Sequence, residues 1–424
     1  MGYQANPWMI LPFGLLLAGM ALGPVLFRPW WEKHYGKAVA ALGAITVGYY
    51  LLVLPPAAAR AVAQAGRDYA AFIALVGSLF VVSGGLRITV KGEATPRANV
   101  VFLLAGALLA NVLGTVGASL LLIRPWLQAN GRRAAGHHVV FFIFLVSNAG
   151  GCLLPLGNPP LFIGYLMGVP FWWVAERCWP MWLCGVGFLL AVFYCLDCRH
   201  CRRAPAPTSR PREQWGVEGL WNLLFLAVIL GAVFISRPLF LREGLMLGAA
   251  AASWRTTRKE VHEANQFDFH PIMEVAVLFL GIFATMMPAL DWLQSHALTT
   301  IGANPSPALF YWGSGAASSL LDNAPAYLSF FSAWLGAQGR ALGRPEQVAG
   351  MLSGGQSEAA LAALSVGAVF FGGCTYIGNG PNFIVKAIAE RQGVPLPGFL
   401  GYIIKWTVPV MLPLLIMIWL VFFR

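Results

Sequence analysis

The sequence predicts an all-α polytopic membrane protein built from two inverted-topology repeats, with about 11–12 spans of roughly 20 residues each. Three observations carry that prediction. The hydrophobic share is 58% and the charged share 11%, with mean hydropathy +0.68, where a soluble domain carries about 25% charge. The stretch Ser147 to Ile163, SNAGGCLLPLGNPPLFI, interrupts an apolar run with Asn, Gly and Pro. The interruption returns at Gly372 to Ile384, GGCTYIGNGPNFI, so that GGC and GNxPxFI recur with one residue of difference between them.

Such an interruption should break a membrane helix. Pro159, Pro160 and Pro381 have no backbone donor, and Gly150, Gly151, Gly157, Gly378 and Gly380 lower helix propensity. Backbone amides and carbonyls are then left free at membrane depth, and they persist there only where they face protein or a watery cavity that can hold a solute or ion.

Taken in order, the apolar runs are Pro7 to Phe27, Ala38 to Ala58, Tyr69 to Val90 and Ala98 to Gly114. The last leads into GTVGASLLLIRPWL, too polar at its centre for a plain span and too apolar for a loop. We read a re-entrant hairpin near 114–127, then a broken helix near 138–163, a short return at Phe162 to Trp173, and a span at Trp179 to Leu196. These make a first half, 1–196. The basic, Pro-containing stretch 197–216, DCRHCRRAPAPTSRPREQWG, reads as a cytoplasmic linker. The second half, 217–424, offers Val217 to Ser236, Pro238 to Trp254, Phe269 to Leu290, a hairpin near 313–328, a broken helix near 358–385, and Pro397 to Phe423. The hairpins align as Ser119, Leu120, Leu121 and Pro125 against Ser319, Leu320, Leu321 and Pro325.

With the N-terminus outside, 19 of the 28 Lys and Arg residues fall on the inner side, 8 outside, and Arg124 lies within a hairpin. That asymmetry suits a bacterial inner membrane protein with a periplasmic N-terminus and a cytoplasmic linker, and it places the two hairpins on opposite sides. Met1 to Asn6 lacks a basic n-region, so no cleavable signal peptide is expected. The net charge of +11 is explained by loop residues meeting lipid headgroups, not nucleic acid.

Asp322 and Asn323 stand in LDNAP at the second hairpin. An ionisable group at that depth is costly unless paired or wet, so Asp322 reads either as a proton or cation ligand or as a hairpin cap. Arg124, in LIRPW at the expected tip of the first hairpin, reads as an anion clamp, as a counter-charge for Asp322, or as a residue snorkelling to the interface. Asn148, Asn158 and Asn379 sit beside the helix breaks, and Ser147, Thr375, Ser119 and Ser319 offer hydroxyls; each is a candidate ligand or a cap. Glu274 is a second proton-carrier candidate. Cys195, Cys198, His200 and Cys201 lie close together in sequence, yet they lack a second paired knuckle, so no metal or other cofactor is assigned. Walker A, HExxH and GxSxG motifs are absent from the sequence, which leaves ATP-driven and hydrolase chemistry without support.

SNAGGCLLPLGNPP, GTVGASLLLIRP and SSLLDNAP resemble the ion transporter superfamily over nearly the whole chain. That superfamily groups NhaD-type sodium/proton antiporters, arsenite pumps and citrate or dicarboxylate carriers. The closest resemblance is to a bacterial branch that carries both sodium/proton antiporter and citrate transporter labels. LDNAP is similar to the DN-x-P element of NhaD-type antiporters, which implies a cation role for Asp322 and Asn323. Asn158 departs from that pattern, in which an acidic residue follows the glycine. The resemblance also implies a homodimer. A secondary active transporter is therefore expected: a proton-coupled sodium antiporter working by alternating access, with a cation-coupled citrate or dicarboxylate transporter as the alternative and a passive channel behind both.

Overall fold

The computed structural model describes residues 5–91, 94–203, 214–235, 237–302, 306–340, 345–352 and 355–424. Apolar runs that cannot leave backbone groups unpaired in hydrocarbon become helices. The first half contains α1 (Leu11–Leu26), α2 (Arg28–Leu52), α3 (Ala59–Gly84), strand β1 (Arg87–Lys91), α4 (Pro96–Asn130), α5 (Gly136–Leu145), α6 (Pro159–Leu166) and α7 (Trp173–Arg203). Strand β2 (Gln214–Glu218) opens the second half, followed by α8 (Asn222–Ala232), α9 (Leu241–Thr256), α10 (Lys259–Ala264), α11 (His270–Thr285), α12 (Met287–Ile301), α13 (Ser314–Leu320) and α14 (Asn323–Ala337). The chain ends with α15 (Pro345–Gly350), α16 (Gln356–Phe371), α17 (Gly380–Arg391), α18 (Phe399–Tyr402) and α19 (Leu412–Phe422).

Among the described residues six helices are long and apolar enough to cross a membrane, or seven if α11 and α12, bent by 46°, count as one span. This makes the chain an all-α polytopic membrane protein with fewer full-length spans than the 11–12 expected. The shortfall has a physical source. α5, α6, α8 and α17 are pieces of 10, 8, 11 and 12 residues, each too short to cross alone.

α4 is one of the six by length, but it folds back on itself. Gly114 has φ 71° and ψ 156°, a conformation that L residues with a Cβ avoid. Asn99 and Asn130 would stand about 46 Å apart on a straight helix, yet Asn99 Nδ2 donates to Asn130 Oδ1 at 2.8 Å. Phe102 and Trp126 likewise meet, tilted, with centroids 5.2 Å apart. The run expected as a fourth span is therefore the first arm of a hairpin whose turn is Gly114 and whose second arm runs to Asn130.

The second hairpin turns at Leu321 and Asp322, between α13 and α14, with Phe310 and Phe330 in edge contact across it. Its turn comes after Ser319, whereas the first turn precedes Ser119. The pairing of Ser119 with Ser319 is thus out of register, and the turns match when Gly114 is set against Asp322. On that register Trp126 falls against Trp334. Each does the same job: Trp126 Nε1 donates to His138 O at 3.1 Å, at the start of α5, and Trp334 Nε1 to Ser357 O at 3.2 Å, at the start of α16.

α7 measures the distance between the two hairpin mouths. Its N-terminal end meets the start of α16, with Trp173 Nε1 donating to Glu358 Oε1 at 3.1 Å and Arg177 paired to Glu358 at 2.5 Å. Its C-terminal end meets the first hairpin mouth, where Asn99 Nδ2 donates to Asp197 Oδ2 at 2.8 Å. The boundary expected at 197 therefore falls inside a helix, because α7 runs on to Arg203. Residues 204–213 of the expected linker lie outside the described residues. Those that follow form β2, which pairs antiparallel with β1 in the register Arg87↔Glu218 to Lys91↔Gln214. Tyr69 to Val90 is accordingly not one span: its end turns into β1.

Candidate functional site

Both broken helices stop where the sequence places their Gly and Pro. α5 ends at Leu145 and α6 begins at Pro159; α16 ends at Phe371 and α17 begins at Gly380. Within each break two backbone segments touch. A Cβ on Gly157 would lie 2.3 Å from Gly151 O, and one on Gly378 would lie 2.7 Å from Gly372 O. Only glycine permits these approaches.

The backbone groups freed by the breaks are taken up by buried amides and hydroxyls. Asn111 Nδ2 donates to Gly150 O at 2.7 Å, while its Oδ1 accepts from Leu153 N and Leu154 N at 2.9 and 3.2 Å. In the other break Asn382 Nδ2 donates to Gly372 O at 2.8 Å and Thr375 O at 2.9 Å. Thr375 Oγ1 accepts from Ile377 N and Gly378 N and donates to Ser319 O at 2.6 Å.

The two breaks are stitched to each other and to the hairpin tips. Asn148 Nδ2 donates to Asn382 Oδ1 at 2.7 Å and to Ile143 O at 2.8 Å. Asn379 Nδ2 donates to Ser147 O at 2.7 Å and Asn148 Oδ1 at 3.2 Å. Ser119 Oγ and Ser147 Oγ share a hydrogen bond of 2.8 Å. Asn323 Nδ2, at the second hairpin tip, donates to Asn158 Oδ1 at 2.8 Å, and Thr115 N, at the first tip, donates to Gly157 O at 2.9 Å. The expected residues Asn148, Asn158, Asn323, Asn379, Ser147, Ser119 and Thr375 thus converge on one buried polar centre.

Three buried polar atoms there lack a partner among the described residues: Thr115 Oγ1, Asn158 Nδ2 and Asn323 Oδ1. Unpaired buried groups of this kind cost about 1–3 kcal/mol each. Thr115 and Asn158 line a cavity of about 20 Å³ beside Gly114, Gly157 and Pro159, room for one water-sized particle.

Other candidates stand apart from this centre. Asp322 caps α14 through Oδ1, which accepts from Ala324 N at 3.1 Å. Ser319 Oγ bonds back to Gly315 O and Ala316 O of its own helix, so its carbonyl and not its hydroxyl reaches the second break. Arg124 is not at the first hairpin tip: it lies ten residues past Gly114, and its Nη2 donates to Gln266 Oε1 at 3.3 Å. It lines a separate cavity of about 270 Å³ with Glu274, Glu32, His270 and Arg391. Both the counter-charge and the clamp expectations for Arg124 rested on a tip position that the register shift removes. Cys195, Cys198 and Cys201 are spread along the last turns of α7, the first exposed and the other two partly so. His200 Nε2 meets Arg133 O at 3.1 Å.

Asn111, Asn382 and Thr115 were not singled out by the sequence. Buried polar residues inside apolar runs were the available signal, and Asn382 even lies within the repeated motif. No curated protein matches this sequence. A family model described as "Putative citrate transport" matches residues 2–423, and the chain belongs to that family of transporters.

Proposed function

We propose that the protein is a cation-coupled transporter of citrate or a related carboxylate, working by alternating access between two inverted halves, each supplying a re-entrant hairpin and a broken helix. Membership of the citrate transport family favours this over the sodium/proton antiport otherwise expected. The observation that carries it is the character of the centre: an amide-rich set of side chains at the starts of α6 and α17, with Asn158 in place of a carboxylate. Two helix N-termini and the uncommitted donor Asn158 Nδ2 suit a polyanion. Freed carbonyls, Thr115 and the small cavity beside it suit a coupling cation such as sodium.

In the arrangement observed, the amides bond one another, so substrate binding must exchange amide–amide for amide–carboxylate bonds. The test is uptake of labelled citrate and succinate into proteoliposomes under imposed sodium and proton gradients. Gradient-driven accumulation supports the reading. Dissipation of a pH gradient on sodium addition, with no carboxylate accumulated, would restore the antiporter.

A further inference from the structure

We propose that His137 and Asp197 form a proton-binding site that lies outside the central amide cluster and locks the mouth of the first hairpin. Asp197 is fully buried near the end of α7, and His137 and His138, at the start of α5, are 8% and 0% exposed. His137 Nε2 and His138 Nε2 both approach Asp197 Oδ1, at 3.4 and 3.1 Å. The other carboxylate oxygen accepts from Asn99 Nδ2 at 2.8 Å, and Asn99 is bonded in turn to Asn130. One carboxylate thus joins both arms of the hairpin, the first turn of α5 and the end of α7.

A buried carboxylate supported only by neutral donors is expensive, and a cation beside it offsets the cost. Arg133, close by, spends its guanidinium on Ala94 O, and His200 bonds Arg133 O. Neither contacts the carboxylate among the described residues, so the side chains against it that can carry a positive charge are the imidazoles of His137 and His138. His138 Nδ1 already accepts from Ala135 N at 3.2 Å, so its proton sits on Nε2 and the ring stays neutral. The extra proton therefore belongs on His137, making an imidazolium–carboxylate pair. The same tautomer argues against a metal ion, even though the three side chains place ligand atoms within 4.8 Å of one another: a cation at His138 Nε2 needs the lone pair of that nitrogen, where the Ala135 contact keeps a proton.

Removal of the proton leaves Asp197 uncompensated at a joint of four elements, one of which, α5, runs directly into the break at Ser147 and Asn148. That proton release reaches transport rests on the proposed function; proton binding itself does not. The test is a potentiometric titration of the purified full chain against His137→Gln, without substrate, over the pH range in which both stay folded. Wild type should bind one more proton per chain than the variant, and Asp197→Asn should lose the same proton. Superimposable curves would overturn the proposal. Should both variants fail to fold, ¹⁵N spectra of histidine-labelled wild type decide it: a buried ring becoming doubly protonated over this range supports it, and its absence refutes it. Visible absorption from one equivalent of Co²⁺, abolished in His137→Gln, would replace the proton site with a metal site. Failure of citrate uptake alone would count against the transporter reading and leave this titration intact.

Discussion

Asn323 and Asn158 bond across the two halves of the chain, Nδ2 of the first donating to Oδ1 of the second at 2.8 Å, with both side chains buried. The pair leaves one donor, Asn158 Nδ2, and one acceptor, Asn323 Oδ1, without partners. A carboxylate needs the former and a cation the latter, so this contact is where the two halves of a coupled cycle would meet.

Asn158→Ala removes the free donor and strands Asn323. Melting in detergent should show a loss of about 1–3 kcal/mol, and citrate uptake should fall more than tenfold. Asn158→Asp keeps the acceptor for Asn323 but sets a negative charge against an anionic substrate. Uptake should disappear and the melting temperature should fall, because the new charge is buried with only the neutral Asn323 Nδ2 as donor, and retained uptake would move the anion site elsewhere.

Gly114→Ala addresses the first hairpin turn. The residue holds φ 71°, and an added Cβ would lie 3.3 Å from Leu156 O. Forcing an L residue into that conformation costs on the order of 1–3 kcal/mol, which a thermal melt should register. Gly131 also has positive φ, but a Cβ there meets nothing within 4 Å, so Gly131→Ala should cost less.

The sequence announced the breaks because Gly, Asn and Pro are intrinsic helix terminators, and both occur where their motifs stand. It was a poorer guide to the hairpins. Gly114 alone marks the first turn, while the second turn has no glycine and uses Asp322 as a cap, so matching Ser with Ser misplaced the register and carried Arg124 to a false tip. The cross-half bonds, Asn148 to Asn382 and Asn323 to Asn158, join residues more than 160 positions apart. Only packing brings them together, and no local pattern records it. The His137, His138 and Asp197 joint was missed for the same reason: a dihistidine at a helix start reads as interfacial until α7 is laid beside it.

Trp126→Phe and Trp334→Phe should behave alike, since each removes one indole donor from the start of a broken helix. Each should lose about 1 kcal/mol by melting, with the aromatic packing kept. If one variant costs nothing and the other several kcal/mol, the two hairpins are not held by equivalent contacts.

Asp322→Asn separates capping from coupling. The carboxylate's structural task is to accept from Ala324 N, and an asparagine at that position caps equally well, so melting should shift by no more than about 0.5 kcal/mol. The amide carries no charge and binds no proton, so if Asp322 ligates the coupling cation, gradient-driven accumulation should vanish while citrate still equilibrates. Arg124→Gln is the control. Its guanidinium reaches Gln266 in a different cavity, and its removal should leave the cation dependence of uptake as in wild type. Full accumulation by well-folded Asp322→Asn would confine Asp322 to its cap and direct the search for the coupling group to Glu274.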